Sequence, residues 1–162
     1  MAAKAEDKTI SLNRKAYHDY FIQDSLEAGI VLTGTEIKSV RDGRVNIRDA
    51  YARAEKGEMW LHNAHIALYD PGSYGNHDPL RSRKLLLHRK QIRELMFNAE
   101  RKGFTIVPLK LYITRGVAKL ELGLGRGKKQ YDKRASVADE EAKREVSRAL
   151  KMRLNEFRRE AA

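Results

Sequence analysis

Phe104-Thr105-Ile106-Val107-Pro108-Leu109-Lys110-Leu111-Tyr112-Ile113-Thr114, then Arg115-Gly116, then Val117-Ala118-Lys119-Leu120-Glu121-Leu122-Gly123-Leu124 is the stretch on which the fold turns. Val107, Leu109, Leu111 and Ile113 recur at every second position. Successive side chains of an extended chain point to opposite sides, so these four belong on one face of a strand. Arg115-Gly116 turns the chain, and Leu120, Leu122 and Leu124 then alternate with Glu121 and Gly123 in a half-buried return strand.

Just upstream, Ile92, Leu95, Met96 and Ala99 stand at i, i+3, i+4 and i+7, and Gly103 follows where a left-handed C-cap belongs. That predicts a helix over 88–102. Residues 70–79, from Asp70-Pro71-Gly72 to Asp78-Pro79, are dense in turn formers and predict a surface loop. Residues 49–53 and 59–69 predict two strands around Glu55-Lys56-Gly57-Glu58. Thr35 and Glu36 carry helix-start chemistry, with Ile37 and Val40 facing inward and Gly43 ending a short helix. Residues 20–32 predict a strand interrupted at 24–29, with Gly29 supplying a bulge or bend. Short antiparallel strands around one helix predict a mainly β body with short helices, an OB-like small antiparallel β-barrel that removes its own exposed edges. The domain expectation is a flexible N-terminus over 1–12, the barrel body over 13–134 and a basic tail over 135–162. The tail has no glycine or proline, and Val146, Leu150, Leu154 and Phe157 form an apolar stripe among charges. With no core of its own, it is expected to be helical only conditionally.

Lys+Arg number 33 against 22 Asp+Glu, a formal charge of +11, so a polyanion is the leading partner through counterion release. Cysteine is absent, which excludes disulfides, thiolate metal sites and a cysteine nucleophile. Met1 to Lys8 is polar and no apolar run reaches membrane-spanning length, which predicts a soluble cytoplasmic protein with no membrane partner.

Asn13-Arg14-Lys15-Ala16-Tyr17-His18-Asp19-Tyr20, Glu27-Ala28-Gly29-Ile30, Gly34-Thr35-Glu36-Ile37-Lys38-Ser39, Gly75-Asn76-His77-Asp78-Pro79, Arg81-Ser82-Arg83-Lys84-Leu85-Leu86-Leu87-His88, Gly127-Lys128-Lys129 and Asp132-Lys133-Arg134 follow in this order. The set resembles the SsrA-binding protein (SmpB) family. The resemblance implies a non-catalytic adaptor of bacterial trans-translation on an OB-type barrel with flanking helices. Its body would grip the tRNA-like domain of transfer-messenger RNA (tmRNA). Its tail would enter the vacant mRNA channel of a stalled ribosome near the small-subunit decoding site, with elongation factor Tu met only indirectly through the charged RNA. No cofactor or metal is implied.

The resemblance carries Glu27 over as an RNA-contacting carboxylate, which requires a base amino group, a 2′-hydroxyl or a water as donor. A strand-edge carboxylate paired with a lysine is the alternative. Asn13 and His18 carry over as RNA- or decoding-site-facing groups, and Tyr20 either stacks on a base or packs in the core. Leu86 and His88 match interface positions, although His88 serves equally as a helix boundary. Lys38, Arg83, Lys84, Lys128 and Lys129 add charge, with Arg81 beside them. The glycines at 123, 125 and 127 could bring backbone close to phosphate, or merely end a strand. Asp132, Lys133 and Arg134 match the junction that aims the tail, and Arg144, Arg148, Leu150 and Lys151 match its ribosome-contacting part. The tail departs from the family pattern in the acidic patch Asp139-Glu140-Glu141 and in its length beyond Met152.

An enzyme would need a constellation, and His62 and His65 lack a third ligand and stand three apart in an expected strand, on opposite faces. The nearer alternative is a general OB-type structured-RNA-binding or ribosome-associated factor without tmRNA specificity.

Overall fold

In the computed structural model, which describes residues 7–70 and 75–160, the predicted hairpin is the long pair β8 (Thr105–Thr114) and β9 (Val117–Gly127). Seven further strands precede it: β1 (Lys8–Leu12), β2 (Tyr20–Ile30), β3 (Val45–Asn46), β4 (Tyr51–Glu55), β5 (Glu58–His62), β6 (His65–Ile66) and β7 (Arg83–Leu86). The helices are α1 (Arg14–Asp19), α2 (Gly34–Arg41), α3 (Arg89–Lys102) and α4 (Gln130–Glu160). The large sheet runs β1-β8-β4-β5-β7-β2-β9, and β8 also pairs with β9. The run from β8 through β4, β5, β7 and β2 to β9 therefore returns to β8 and closes the sheet on itself, as the OB-like expectation requires. At the seam β4 meets β8 through Ala52 and Ile106, and β1 takes the same edge farther along, from Lys8 against Ile113 to Leu12 against Lys110. The expected lead-in over 1–12 is corrected there: Lys8–Leu12 is an ordered strand because β8 offers it an edge, and residues 1–6 lie outside the described residues.

Two bulges decide which residues of β8 and β2 enter the main core. In β8 the register slips between Pro108 and Lys110, and in β2 between Ile22 and Asp24. Since side chains alternate with a period of two, one extra residue moves everything beyond it to the other face. Ile106 and Leu111 thus lie together with Leu26, Ala28, Leu61, Leu85, Leu120, Leu122 and Leu124 in the main core, while Val107 and Leu109 point the other way and pack with Ala16, Tyr20 and Ile22 under α1. The single face expected for Val107, Leu109, Leu111 and Ile113 is accordingly split. β2 is continuous from Tyr20 to Ile30, and its bulge is at 22–24 rather than at Gly29.

The 59–69 strand is likewise two strands, broken where Asn63 takes φ 62°, with β6 pairing β3 in a separate small sheet. α2 is capped by Thr33, whose N–H donates to Glu36 at 2.8 Å, and not by Thr35. α3 ends at Gly103 with φ 66°, and Ile92 and Leu95 are buried as its periodicity demands. In the 70–79 loop, residues 71–74 lie outside the described residues, and the remainder is tied inward. Asn76 exchanges hydrogen bonds with the Tyr69 backbone at 3.0 and 3.1 Å, and buried His77 spans Thr35 Oγ1 (2.9 Å) and Ile66 O (3.0 Å).

The chain divides into two compact units after Gly127, Met1–Gly127 and Lys128–Ala162. The expected body–tail boundary at 134 falls inside α4, which begins at Gln130. Along α4 the side chains of Val146, Leu150, Leu154 and Phe157 are all exposed. Among the described residues, no helix is long and apolar enough to cross a membrane.

Candidate nucleic-acid interface

The outer face of the barrel over β5, β7, β2, β9 and β8 collects one contiguous strip of polar and aromatic groups. Pairing sets the order: Trp60 stands opposite Lys84, Leu86 opposite Gly29, Gly29 opposite Lys119, and Lys119 opposite Tyr112. Gly29 is needed for contact, not for a bend. A Cβ there would lie 3.1 Å from Leu86 Cβ, so the absent side chain lets the exposed leucine lie across the strand. One residue pair along, Glu27 faces Glu121, which faces Lys110.

Glu27 is half exposed and held from both sides. Lys119 Nζ is 2.5 Å from its Oε1, and the Tyr112 hydroxyl donates to its Oε2. The Lys119 ammonium first, and the Tyr112 hydroxyl second, hold the Glu27 carboxyl below the usual carboxylate range. Burial, reinforced by Glu27, pushes the Tyr112 phenol above its ordinary value, so it stays a donor at physiological pH. Lys110 lies 4.9 Å over the Tyr112 ring, which fixes a third cation on the strip. Each carboxylate oxygen keeps a free lone pair after these bonds, so Glu27 can still accept from a base amino group or a ribose hydroxyl in a fixed direction. Lys84, paired with Glu58 at 2.6 Å, completes the strip.

Three expected RNA residues therefore come together here: Glu27, Lys84 and Leu86. Lys119, Tyr112, Lys110 and Trp60 join them on the strip, and none of the four stands out in the linear sequence. The alternation that placed Lys119 outward on β9 was visible, but its pairing with a residue 92 positions away was not. His88, N-cap of α3, is exposed two residues beyond Leu86 and takes Gln91 Oε1 on its N–H at 3.0 Å. Lys38 lies apart on α2, exposed, its Nζ 5.4 Å from the Tyr69 ring centroid. His18 is half exposed on α1 with Nδ1 3.0 Å from Asp19.

Other expected contacts are overturned by burial. Asn13 is 2% exposed; its Oδ1 accepts from Ala16 N–H (3.0 Å), and its Nδ2 donates to Pro108 O (2.8 Å) and Ile47 O (3.2 Å). It pins α1 to β8 and has no face left for RNA. Arg83 is fully buried, bonded to Glu36 (2.9 Å) and to the Ala64 carbonyl (2.6 Å), and Arg81 completes the cluster at 2.6 Å from Glu36. Burial alone would raise the Glu36 carboxyl; Arg81, the Thr33 N–H and Arg83 outweigh it and hold it down. Tyr20 packs half-buried against the small core under α1, as its core alternative had it. The approach of Gly123 and Gly125 to phosphate is also overturned: a Cβ on Gly123 would lie 2.8 Å from Leu109 Cδ1, and one on Gly125 2.9 Å from Tyr20 Cβ. Both glycines make room for packing.

In the second unit, Lys128 Nζ donates to Ser136 Oγ at 3.1 Å, and the Lys129 N–H donates to Asp132 Oδ2 at 3.2 Å, so Asp132 holds the first turn of α4. Lys133 closes that turn by donating its N–H to Lys129 O at 3.1 Å. Arg134, Arg144, Arg148, Leu150 and Lys151 are exposed along α4, with Arg144 3.9 Å from Glu140 of the acidic patch. Among the described residues, no three His, Cys, Asp or Glu side chains are grouped to hold a metal, and His62 is 2.9 Å from Ser82 Oγ and stacked on Tyr51.

A family model described as SmpB protein matches residues 10–152. The SsrA-binding protein of Geobacillus kaustophilus is 57% identical over 150 residues, 93% of this chain and 97% of that protein. That of Desulfitobacterium hafniense is 58% identical over 141 residues, 87% and 90% of the two chains. A solved chain described under "tmRNA-SmpB: a journey to the center of the bacterial ribosome" is similar with a TM-score of 0.61 and 50% identity, covering 79% of this chain and 87% of that one.

Proposed function

The chain belongs to the SmpB protein family, and from that premise we propose that it is an RNA-binding adaptor of trans-translation. It binds the tRNA-like domain of tmRNA and carries it to the stalled ribosome. It works in the cytoplasm and without catalysis. The barrel strip reads the RNA and α4 serves the ribosome, entering the vacant mRNA channel through its basic side chains, among them Arg144, Arg148 and Lys151, with Leu150 on the apolar stripe between them.

The observation that carries the reading of the strip is Glu27, a carboxylate held in place by Lys119 and Tyr112 beside the exposed Leu86. A carboxylate adds nothing to phosphate attraction, so a fixed one in a basic protein serves selection, through donors that the correct RNA presents and others do not. The lysines around it supply the salt-dependent part of the affinity.

The test is a competition titration between the tRNA-like domain and an ordinary tRNA at matched salt, for the wild type and for Glu27→Ala. Preference for the tRNA-like domain that shrinks in the variant is expected. Equal binding of both RNAs, unmoved by the substitution, would leave a general structured-RNA binder in its place.

A further inference from the structure

The outward side of α3 presents cations one turn apart. Arg89, Arg93, Phe97 and Arg101 follow at i+4 and so lie along one stripe, with Lys90 beside its start. All five are exposed, whereas Ile92 and Leu95 on the opposite side are buried. At 1.5 Å per residue the stripe is about 18 Å long and rigid. Arg101 lies 5.2 Å over the ring of Phe97, which holds the guanidinium fork in place on an otherwise polar surface. Lys90, Arg93, Glu94, Phe97 and Asn98 line a shallow open hollow. Among the described residues that line it, Glu94 is the one acid, and Glu100 lines a different groove with Arg53.

We propose that this stripe is a second RNA site, for the phosphate backbone of double-helical RNA, separate from the strip around Glu27. Charge complementarity names the occupant: guanidinium forks in a row match phosphates better than any neutral surface. Backbone rather than base recognition follows from Phe97. Its exposed ring carries Arg101 and so is not a free platform for an unpaired base.

The test uses the full chain and a blunt RNA duplex of about 16 base pairs, a length that spans two successive minor grooves. Arg89→Glu/Arg93→Glu should weaken duplex binding at least tenfold and lower the slope of log K against log salt by about 2. Arg89→Lys/Arg93→Lys should keep both, and Phe97→Ala should lose less than the reversal. Lys56→Glu/Arg115→Glu changes net charge equally at two exposed turns and should leave the slope nearly intact. Unchanged urea unfolding guards against a folding defect. A duplex affinity unmoved by the α3 reversal, as for a solvated face or one that serves an acidic protein, would overturn the proposal. So would an equal loss in the control, or loss of the preference for the tRNA-like domain over tRNA in the α3 variant. Absence of that preference in the wild type would count against the adaptor reading and leave the duplex result standing.

Discussion

Asn13→Ala separates a structural residue from an RNA-reading one. The amide side chain satisfies three buried backbone groups: the Ala16 N–H at the start of α1, and the carbonyls of Pro108 and Ile47. Losing the cap costs about 1 kcal/mol, and stranding each carbonyl about 1 kcal/mol more, for a total of about 3 kcal/mol. With a urea slope of about 2 kcal/mol per molar, the unfolding midpoint should fall by roughly 1.5 M. Trp60, the single tryptophan, sits in β5, so its fluorescence follows the barrel and not α4. Below the midpoint, RNA affinity per folded molecule should stay within about twofold of wild type, less than 0.5 kcal/mol. Asn13→Asp keeps the cap but turns a carboxylate against two carbonyls, so it should be at least as unstable as the alanine variant. An Asn13→Ala protein that unfolds at the wild-type urea concentration while its RNA binding falls tenfold or more would make Asn13 an RNA-reading residue and not a structural one.

Acid should act through Glu36. Its folded carboxyl lies below the ordinary value of 4.5, so the stabilisation is complete above that value and is lost as pH falls through the lowered one. Glu36→Gln leaves Arg83 buried without its counter-charge and should cost about 3–5 kcal/mol at neutral pH. The stability gap to wild type, followed by urea unfolding at a series of pH values, should narrow only below the ordinary carboxylate value; a gap constant down to full acid unfolding would contradict the assignment. Gly123→Ala should destabilise by about 1–3 kcal/mol by pressing on Leu109. Adding Leu109→Ala should give less than the sum of the two losses, a coupling of about 0.5 kcal/mol or more in a double-mutant cycle. A Gly123→Ala protein that keeps its stability but loses RNA would restore the phosphate-approach role of that glycine. Truncation after Arg134 should leave affinity for the tRNA-like domain unchanged and abolish tagging on stalled ribosomes, and a large loss of RNA affinity would undo the division of labour between barrel and tail.

Features that depend on local periodicity and residue type were legible in the unfolded chain. The β8–β9 hairpin and α3 with its Gly103 cap are properties of neighbours within a few positions, and the family motifs are strings of residues. Parity and partnership arise only when distant strands come together. Single-residue bulges near Gln23 and Leu109 reverse which face is inside, and nothing in the alternation marks them. Asn13 and Arg83 carry the polar groups of a binding residue, yet both are consumed by backbone and by Glu36 at sites assembled from distant segments. Glycines that would suit a phosphate suit Leu109 and Tyr20 instead. The strip around Glu27 exists because β2, β7, β8 and β9 are neighbours, which brings Lys119 and Tyr112 to Glu27 across 92 and 85 residues of chain. Long-range pairing of this kind is a property of the closed sheet, and a linear pattern carries no record of it.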